Sequence, residues 1–370
     1  MASLLRSSTQ VLSIDTGAYS IKVVNQGVST LFPNLALGAT EFRSVPSDFK
    51  SLSIDCADDT VHIPVQRGYI TNFELQEAIW RKHLGPDGLD VDPITTRIVY
   101  SQPLFNFEFC RKNLVHTFFR QFESHAVSFP TSPFLSMFYA SSHFEKTFGT
   151  SIVIDMGHSA TWISVFINGI LQWEKCRRLD IGGELLDRLL QYRLSIKYGV
   201  ELNVLSSRTI KEQMCRVSDN FVTEIDEIEQ VHCGIYNNTE VALDTEIIYI
   251  PECFFKPYLA NVEQIGLVET VLHAINSLES PEFVVGTILL VGGSSKFKNF
   301  PQRLEAELKS NLPEKLSAQL VVNHPPEPEF AAARGGSLWS TQQDSLDVSL
   351  SYGEVMSSRW NSYQWKTNLR

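Results

Sequence analysis

The chain has 370 residues, of which 43% are hydrophobic, and a formal net charge of −11 at pH 7. This length and apolar content suffice for two hydrophobic cores and exclude a low-complexity or disordered protein. The acidic balance excludes a general binder of the nucleic-acid backbone, which needs clustered lysine and arginine. The apolar runs have strand length and the amino terminus lacks a signal-peptide core, so we expect a soluble, intracellular protein without a membrane span.

Two segments repeat one design, in which an apolar strand leads into Asp-x-Gly, a polar turn and a second apolar strand. The copies are VLSIDTGAYSIKVV at residues 11–24 and SIVIDMGHSATWISV at residues 151–165. Gly17 and Gly157 allow a turn that points backbone N–H groups at an anion, and the aspartates Asp15 and Asp155 can hold a hydrated cation. One copy alone would be an ordinary β-turn. Two copies about one domain length apart predict two lobes of common design facing a shared cleft.

Strand-like runs alternate with helical stretches along the chain, which predicts an α/β fold. The predicted strands are VLSI, IKVV, TRIVY, SIVID, WISVFI, EIIYI and TILLV, and the predicted helices include FELQEAIWRKHL and GGELLDRLLQYRLSIKYG. A buried strand also leads into Gly292 and Gly293, where another group can approach the backbone closely. The cysteines form no Cys-x-x-Cys pair and the histidines no His-x-x-x-His pair, so we expect buried thiols and no metal cage made only of protein. The cysteines are Cys56, Cys110, Cys176, Cys215, Cys233 and Cys253.

With these motifs the chain resembles the actin and actin-related protein superfamily over nearly its whole length. Further marks are LDIGGELLDRLL, RTIKEQMCRVS, IPECFFKP, LLVGGSSKF and PPEPEFAAARGGS. The resemblance implies an α/β, actin-like ATPase-domain fold with two lobes around a nucleotide cleft. The first lobe is expected at residues 1–140 plus 336–370, with a reduced outer subdomain at 37–61, and the second lobe at residues 141–335.

The resemblance also implies a site for ATP or ADP with Mg²⁺. The residues that match the two phosphate loops are Asp15, Gly17, Lys22, Asp155 and Gly157, with Asp15 and Asp155 on the metal side. The residues that match the base and ribose contacts are Arg208, Lys211 and Glu212, and those on the motif that closes over the nucleotide are Gly292, Gly293, Ser294 and Phe297.

The catalytic positions depart from the family pattern. The water-orienting glutamine aligns with Pro133, the second-loop aspartate with His158 and the following histidine with Trp162. A proline side chain can neither orient a water nor accept its proton, so we expect no catalytic residue and slow or absent hydrolysis. His158 could replace the lost carboxylate as a general base, because imidazole titrates near neutrality, but a polar turn histidine without chemistry is the simpler interpretation.

Within the superfamily, the Gly-Ala-Tyr at 17–19, PVQRGYITNF and PLFNF at 103–107 look most like one nuclear subfamily of actin-related proteins. That resemblance implies a noncatalytic subunit of the chromatin-remodelling complex that exchanges histone H2A for the H2A.Z variant. The implied partners are a HIT-type zinc-finger subunit, a Swi2/Snf2-type remodeller ATPase, RuvB-like ATPases and, through the complex, the nucleosome. No basic import signal is present, so nuclear entry with a partner and a cytoplasmic fraction both stay open.

The alternative is an ATP-binding and slowly hydrolysing cytoskeletal actin relative, which the retained aspartates and adenosine motif favour. Filaments are not expected, because the segment at 37–61 is short and diverged. Residues 256–270 either form an interlobe plug or pack within the monomer. The polar tail at 338–370 carries Trp339, Trp360 and Trp365, which either pack onto their own domain or anchor a partner.

Overall fold

The computed structural model describes residues 10–38, 45–49, 60–199, 202–236 and 239–356. The chain divides into two compact units, the first formed by residues 1–149, 169–171 and 329–370 and the second by residues 150–168 and 172–328. The divisions expected from the sequence fall after residues 140 and 335. The outer-subdomain segment at 37–61 lies mostly outside the described residues, as do Cys56, Trp360 and Trp365.

The strands are numbered in chain order. They are β1 (Gln10–Thr16), β2 (Ser20–Asn25), β3 (Val28–Pro33), β4 (Ala36–Gly38), β5 (Thr60–His62), β6 (Val65–Gln66), β7 (Tyr69–Ile70), β8 (Thr96–Ser101), β9 (Ala126–Ser128), β10 (Ser151–Met156), β11 (Thr161–Ile167), β12 (Ile170–Leu171), β13 (Arg177–Leu179), β14 (Val231–Tyr236), β15 (Thr239–Leu243), β16 (Ile288–Val291), β17 (Val322–Asn323) and β18 (Leu350–Ser351).

The α-helices are numbered in the same way. They are α1 (Phe73–Leu84), α2 (Glu108–His116), α3 (Ser132–His143), α4 (Gly183–Tyr198), α5 (Val204–Met214), α6 (Phe221–Glu224), α7 (Glu246–Glu252), α8 (Leu267–Asn276), α9 (Glu282–Val285), α10 (Phe300–Ser310), α11 (Glu314–Ser317), α12 (Ala331–Trp339), α13 (Gln343–Asp347) and α14 (Tyr352–Met356). A π-helical turn at Thr117–Gln121 continues α2, and 3₁₀ turns occur at Trp173–Lys175, Pro257–Ala260, Gly293–Lys296 and Pro328–Phe330.

Each unit is built on a sheet with the same neighbour order. The first sheet runs β3-β2-β1-β8-β9-β18, and the second runs β13-β11-β10-β16-β17, with β12 also paired to β11. In both, an antiparallel hairpin, β1–β2 or β10–β11, is flanked on one side by an antiparallel strand and on the other by two parallel strands. The α/β fold class with one design used twice, which the repeated hairpin predicted, is confirmed.

The core of the first unit is aromatic. The Trp80 ring on α1 lies 5.3 Å from Phe118, which lies 5.3 Å from Tyr100 on β8. All three side chains are almost fully buried. Helix α1 begins where Asn72 Oδ1 accepts a hydrogen bond from the N–H of Leu75 at 3.0 Å, which satisfies one of the free donors of the first turn. The predicted helix at FELQEAIWRKHL is confirmed, as is the longer helix that became α4.

The strand prediction at EIIYI is wrong, because these residues begin helix α7. Its three isoleucines are buried, and a short run of apolar β-branched residues fits a buried helix as well as a strand. Pro251 has no N–H to give to the carbonyl of Ile247, four residues earlier. The backbone N–H of Arg216 donates to that carbonyl instead, at 3.0 Å. A tertiary contact therefore satisfies the group that the proline leaves open.

Four of the five cysteines in the described residues are buried, as the sequence predicts. Cys110, Cys176, Cys215 and Cys253 are buried free thiols as expected, whereas Cys233 on β14 is only half-buried. Burial raises the pKa of both Cys215 and Cys253 to about 12, so these thiols stay protonated.

No helix in the described ranges is both long and apolar enough to cross a membrane.

Two regions with open alternatives pack within their own units. Trp339, the last residue of α12, is 6% exposed and meets the Phe134 ring edge-on at 5.8 Å, so it is not a partner anchor. Within residues 256–270, Lys256 pairs with buried Glu252 at 3.1 Å and Leu267 is fully buried, whereas Tyr258 and Ile265 are 67% and 47% exposed. The two ends of that segment therefore pack into the second unit, and its middle lies on the surface of that unit.

Candidate functional site

The first hairpin carries its own cation. Asp15 on β1 lies directly opposite Lys22 on β2, with Nζ 3.3 Å from the carboxylate. The N–H of Gly17 closes the turn by donating to the carbonyl of Ser20 at 3.0 Å. A Cβ atom on Gly17 would lie 2.9 Å from the Lys22 ammonium. Glycine therefore lets the lysine lie across the turn, beside the carboxylate that it neutralises.

A buried amide pair fixes the position of this turn. Asn34 and Gln76 are both fully buried and exchange two hydrogen bonds, at 3.1 and 3.0 Å. Asn34 Nδ2 also donates to the carbonyl of Gly17 at 2.8 Å, and Trp80 Nε1 donates to Thr16 Oγ1 at 3.2 Å. Sequence reasoning missed this pair. Its signal was a glutamine beside Leu75 on the apolar face of α1.

The second hairpin repeats the turn but not the charge. The N–H of Gly157 donates to the carbonyl of Ala160 at 3.0 Å, as Gly17 does to Ser20. The residue opposite Asp155, however, is Trp162, whose ring lies 5.3 Å from the guanidinium of Arg178. In both copies the glycine N–H closes the turn, so any phosphate contact must use other groups.

The start of helix α4 packs directly against the second turn. The N–H groups of Gly183 and Glu184 donate to the carbonyls of Gly157 and His158, at 3.2 and 2.8 Å. A Cβ on Gly182 would lie 2.4 Å from the His158 carbonyl, so the double glycine makes this approach possible. These N–H groups of the helix start are satisfied by protein, as buried backbone donors require.

A buried carboxylate joins α4 to α5. Asp187 is fully buried and receives Arg208 Nε at 2.8 Å and Lys211 Nζ at 2.5 Å. Lys211 also donates to the carbonyl of Gly183 at 3.2 Å. The two cations that the family pattern places on the base and ribose are thus committed to a protein carboxylate. Sequence reasoning missed Asp187, although a carboxylate between Leu186 and Leu190 on the apolar face of α4 was its signal.

His158 takes part in the same network. Its Nε2 lies 3.2 Å from Arg208 Nη2, and a guanidinium can only donate. In this contact Nε2 therefore acts as the acceptor, and its lone pair is directed at Arg208. A general base needs that lone pair for the proton of water. The arrangement favours the interpretation of His158 as a turn histidine without chemistry.

The end of β16 closes on the second hairpin. Gly292 has φ +89°, and a Cβ there would lie 2.4 Å from the Met156 carbonyl and 2.7 Å from Asp155 Oδ1. Ser294 Oγ donates to the carbonyl of Gly157 at 3.0 Å. The close approach expected for the glycine pair is confirmed at Gly292. At Gly293, no heavy atom of the described residues lies within 4 Å of the Cβ position, so the close approach expected there is not seen.

The remaining predicted residues differ in their surroundings. The side chain of Glu212 on α5 reaches the surface. Neighbouring protein nevertheless displaces water from around its carboxyl, and this desolvation raises the pKa of that carboxyl. Phe297 is half-buried and meets the Phe254 ring at 6.4 Å, so it faces the core of the second unit. The structure therefore brings together Asp155, Gly157, Arg208, Lys211, Gly292 and Ser294 through direct or shared contacts, and Asp15, Gly17 and Lys22 in the first unit.

Each unit, taken by itself, carries a group that suits a magnesium nucleotide. Asp15 in the first unit and Asp155 in the second are each a hard oxygen ligand of the kind that hydrated Mg²⁺ prefers, although Lys22 already neutralises Asp15. The empty space beside the Cβ position of Gly293 and the carboxyl of Glu212 suit a ribose or base. Among the described residues, no group of three histidine, cysteine or acidic side chains is placed to hold a metal ion.

Comparison with known proteins identifies the family. The actin family model matches residues 8–354. The chain belongs to the actin family. It is 27% identical to Actin-related protein 6 of Drosophila melanogaster, over 88% of this chain and 92% of that protein. It is 24% identical to Actin-related protein 6 of Oryza sativa subsp. indica, over 85% of this chain and 87% of that protein. The subfamily indicated by Gly-Ala-Tyr, PVQRGYITNF and PLFNF carries this name, so the resemblance is confirmed.

The positions that depart from the actin pattern have structural roles in this chain. Pro133 is buried in the first turn of α3, where its missing N–H costs no helical hydrogen bond. Trp162 supports Arg178 through its ring, and His158 accepts from Arg208. Each of these three side chains therefore has a structural role within its own unit.

Proposed function

We propose that this actin-related protein is a noncatalytic structural subunit of a nuclear chromatin-remodelling complex that exchanges histone H2A for H2A.Z. The proposed partners are a HIT-type zinc-finger subunit, a Swi2/Snf2-type ATPase and RuvB-like ATPases, with the nucleosome reached through the complex. Similarity to relatives named Actin-related protein 6 supports this assignment. The observation that carries the noncatalytic role is the hydrogen bond from Arg208 to His158 Nε2.

The chemistry of hydrolysis explains why that contact matters. Splitting the terminal phosphate of ATP requires an oriented water and a group that takes its proton. Pro133 offers neither function, Trp162 presents a ring, and the lone pair of His158 is engaged. The alternative bases near the network are also committed, because Asp187 is paired with Arg208 and Lys211. This supports a chain that uses its fold for assembly rather than turnover.

We propose ATP or ADP with Mg²⁺ as a structural ligand of this protein. The side chains proposed to meet the phosphates and the ion are Asp15 and Lys22 in the first unit and Asp155 in the second. Glu212 and Gly293 would contact the adenosine side. When bound, the nucleotide would supply negative charge that Lys22 can neutralise, and a ligand that binds only the folded state stabilises it.

The first test is affinity purification of the tagged, full chain from nuclear extract at moderate salt, with mass spectrometry of the stable partners. Recovery of a Swi2/Snf2-type ATPase, RuvB-like ATPases and a HIT-type zinc-finger protein is expected. An untagged extract taken through the same steps is the control. Recovery of the chain alone, or with cytoskeletal proteins, would contradict the proposal.

A cytoskeletal, slowly hydrolysing ATPase is the second candidate. The retained Asp15–Lys22 pair and the approach of Gly292 to Asp155 favour it, because they keep phosphate-loop geometry without any need for a remodeller. Two measurements separate the candidates: ATP turnover by the purified protein and electron microscopy for filaments. Sustained turnover together with filaments would support this second candidate, and their absence with bound nucleotide would support the first.

A further inference from the structure

Strand β15 attaches the hairpin β14–β15 to the second unit. Val241 and Leu243 on β15 are fully buried, so one face of the hairpin packs on the core of that unit. Tyr198 at the end of α4 covers the outer edge of β15. Its hydroxyl accepts from the N–H of Ala242 at 3.0 Å and donates to the carbonyl of Ala242 at 2.7 Å. The backbone groups of Ala242 therefore point away from β14.

The outer edge of β14 is open. His232 lies opposite Ala242, and Ile235 lies opposite Glu240. In an antiparallel pair, the backbone groups of two opposite residues either point at each other or both point away, and the two arrangements alternate. Because Ala242 points away and Glu240 lies two positions before it, the N–H and carbonyl groups of His232 and Ile235 face outwards. In the part of the chain that the structure describes, β14 pairs with β15 and with no other strand.

Strand β14 lacks most of the features that protect a sheet edge. Its sequence, VHCGIY, contains neither the lysine nor the proline that commonly blocks an edge strand. It has a β-bulge between His232 and Gly234, and bulges also occur where a strand lies beside a functional site. Ile235 is 70% exposed and Val231 is 40% exposed, so apolar side chains accompany the open backbone. Such an edge is a template for one more strand.

We propose that β14 is a docking edge for an extended segment of another protein, which adds to the hairpin as a third strand. The outward N–H and carbonyl groups require an occupant with free backbone donors and acceptors of its own. A helix uses these groups internally, whereas an extended segment offers them. Apolar side chains at alternate positions of the partner segment would cover Ile235.

The residues that lead into β14 determine the charge of the partner. Asp226, Glu227 and Glu229 are exposed, and their carboxylates form no ion pair within the described ranges. By contrast, the carboxylate of Glu240 on the hairpin lies 2.9 Å from His232 Nδ1. A segment that runs along β14 and past Val231 meets the acidic residues next. The partner segment is therefore expected to carry lysine or arginine at the end that passes them.

A partner protein suits this edge better than a second copy of the chain. The net charge of −11 makes two copies repel each other, and β14 contains no lysine or arginine that could meet the acidic residues of another copy. A basic segment is attracted by the same charge. The proposal rests on the hairpin alone and is independent of which complex the chain joins.

Hydrogen–deuterium exchange of the full chain with a probe peptide tests the docking. The probe alternates valine and threonine and carries a run of lysines at each end. At millimolar concentration it should slow amide exchange at residues 231–236 about tenfold, because the outward N–H groups become hydrogen-bonded. Two control peptides separate the causes. One has N-methyl groups on alternate backbone nitrogens, and the other has glutamate in place of lysine. Neither should slow exchange.

Variants of the chain test the same contact from the other side. Ile235→Lys should weaken probe binding about tenfold, because it removes the apolar contact and adds a like charge to the edge. The matched control is Ile196→Lys, since Ile196 is 66% exposed on α4 of the same unit, and it should leave binding unchanged. Glu227→Lys with Glu229→Lys should also weaken binding about tenfold. This exposed pair keeps the test valid if the Ile235 variant unfolds the hairpin.

Several results would overturn the proposal. Unchanged exchange at residues 231–236 with the probe, or equal slowing by the N-methylated peptide, would exclude strand addition. Equal slowing by the glutamate peptide would exclude a basic partner. Slow exchange that rises with protein concentration without any peptide would assign the edge to a second copy. Slow exchange in the free chain at every concentration would show that another part of the chain covers it.

Discussion

Arg208 Nη2 lies 3.2 Å from His158 Nε2, while Nε of the same guanidinium contacts Asp187 at 2.8 Å. One arginine thus links the second hairpin turn to helix α4. Because a guanidinium has only donors, the imidazole nitrogen is the acceptor in this contact. His158, which aligns with a carboxylate of actin, is thus part of a hydrogen-bond network inside the second unit.

Replacing His158 with alanine should leave any ATP turnover unchanged within about twofold, because its lone pair already belongs to Arg208. The variant should lose ~1 kcal/mol of unfolding free energy from the missing hydrogen bond. Steady-state phosphate release by matched preparations measures the first effect, and urea unfolding measures the second. A true general base contributes about 100-fold or more, so a loss of that size would restore the catalytic interpretation.

Asp187→Asn should destabilise the second unit by about 3–5 kcal/mol. The substitution removes the charge that compensates two cations, whose side chains are only 8% and 7% exposed. Denaturant unfolding of the full chain measures the change. Glu184→Gln is the matched control on the same helix, because it breaks an exposed i,i+4 pair with Arg188 and should cost less than ~0.5 kcal/mol. Equal costs for both variants would show that the buried network has no special importance.

Gly292→Ala should cost about 2 kcal/mol or more, whereas Gly293→Ala should stay within ~0.5 kcal/mol. The first substitution places a Cβ against the Met156 carbonyl at a φ of +89°, and the second meets nothing within 4 Å among the residues that the structure describes. Thermal unfolding of the two neighbouring variants gives a direct comparison. If Gly292→Ala proved neutral, the tight contact between β16 and the second hairpin would not exist in solution.

Stability should fall on mild acidification because of His83. Burial lowers the pKa of His83 from 6.5 to about 4, and its Nε2 lies 3.2 Å from the Pro33 carbonyl. The folded pKa is below the unfolded one, so the unfolded chain binds the proton more readily and stability declines as pH falls from 6.5 towards 4. At pH 5 the loss should be ~2 kcal/mol relative to pH 7.

Urea unfolding at pH 7 and pH 5 measures this loss. His83→Gln keeps a donor near Pro33 but cannot titrate, so the difference between the two pH values should shrink by about 2 kcal/mol. The unmodified protein, measured at both pH values in parallel, is the reference. A His83 variant with the same pH dependence as the unmodified protein would show that this imidazole titrates normally.

The local design of this protein follows from sequence. Asp15 with Gly17 and Asp155 with Gly157 predict two hairpins, and the sheets confirm them with the same neighbour order. The sequence also predicts helices α1 and α4, because their apolar residues recur at helical spacing and an asparagine caps the start of α1. These features are readable because each depends on residues that are near one another in the chain.

Tertiary structure decided the partners of polar and ambiguous residues. The EIIYI run is a helix, and Arg216, distant in sequence, donates the N–H that Pro251 cannot give to the carbonyl of Ile247. Asp187 joins Arg208 and Lys211 only because α4 packs on α5, and Trp339 is buried only because α12 meets Phe134. Sequence determines periodicity and turn chemistry over a few residues, whereas the partner of a buried charge or a β-branched run depends on which distant segment the fold brings to it.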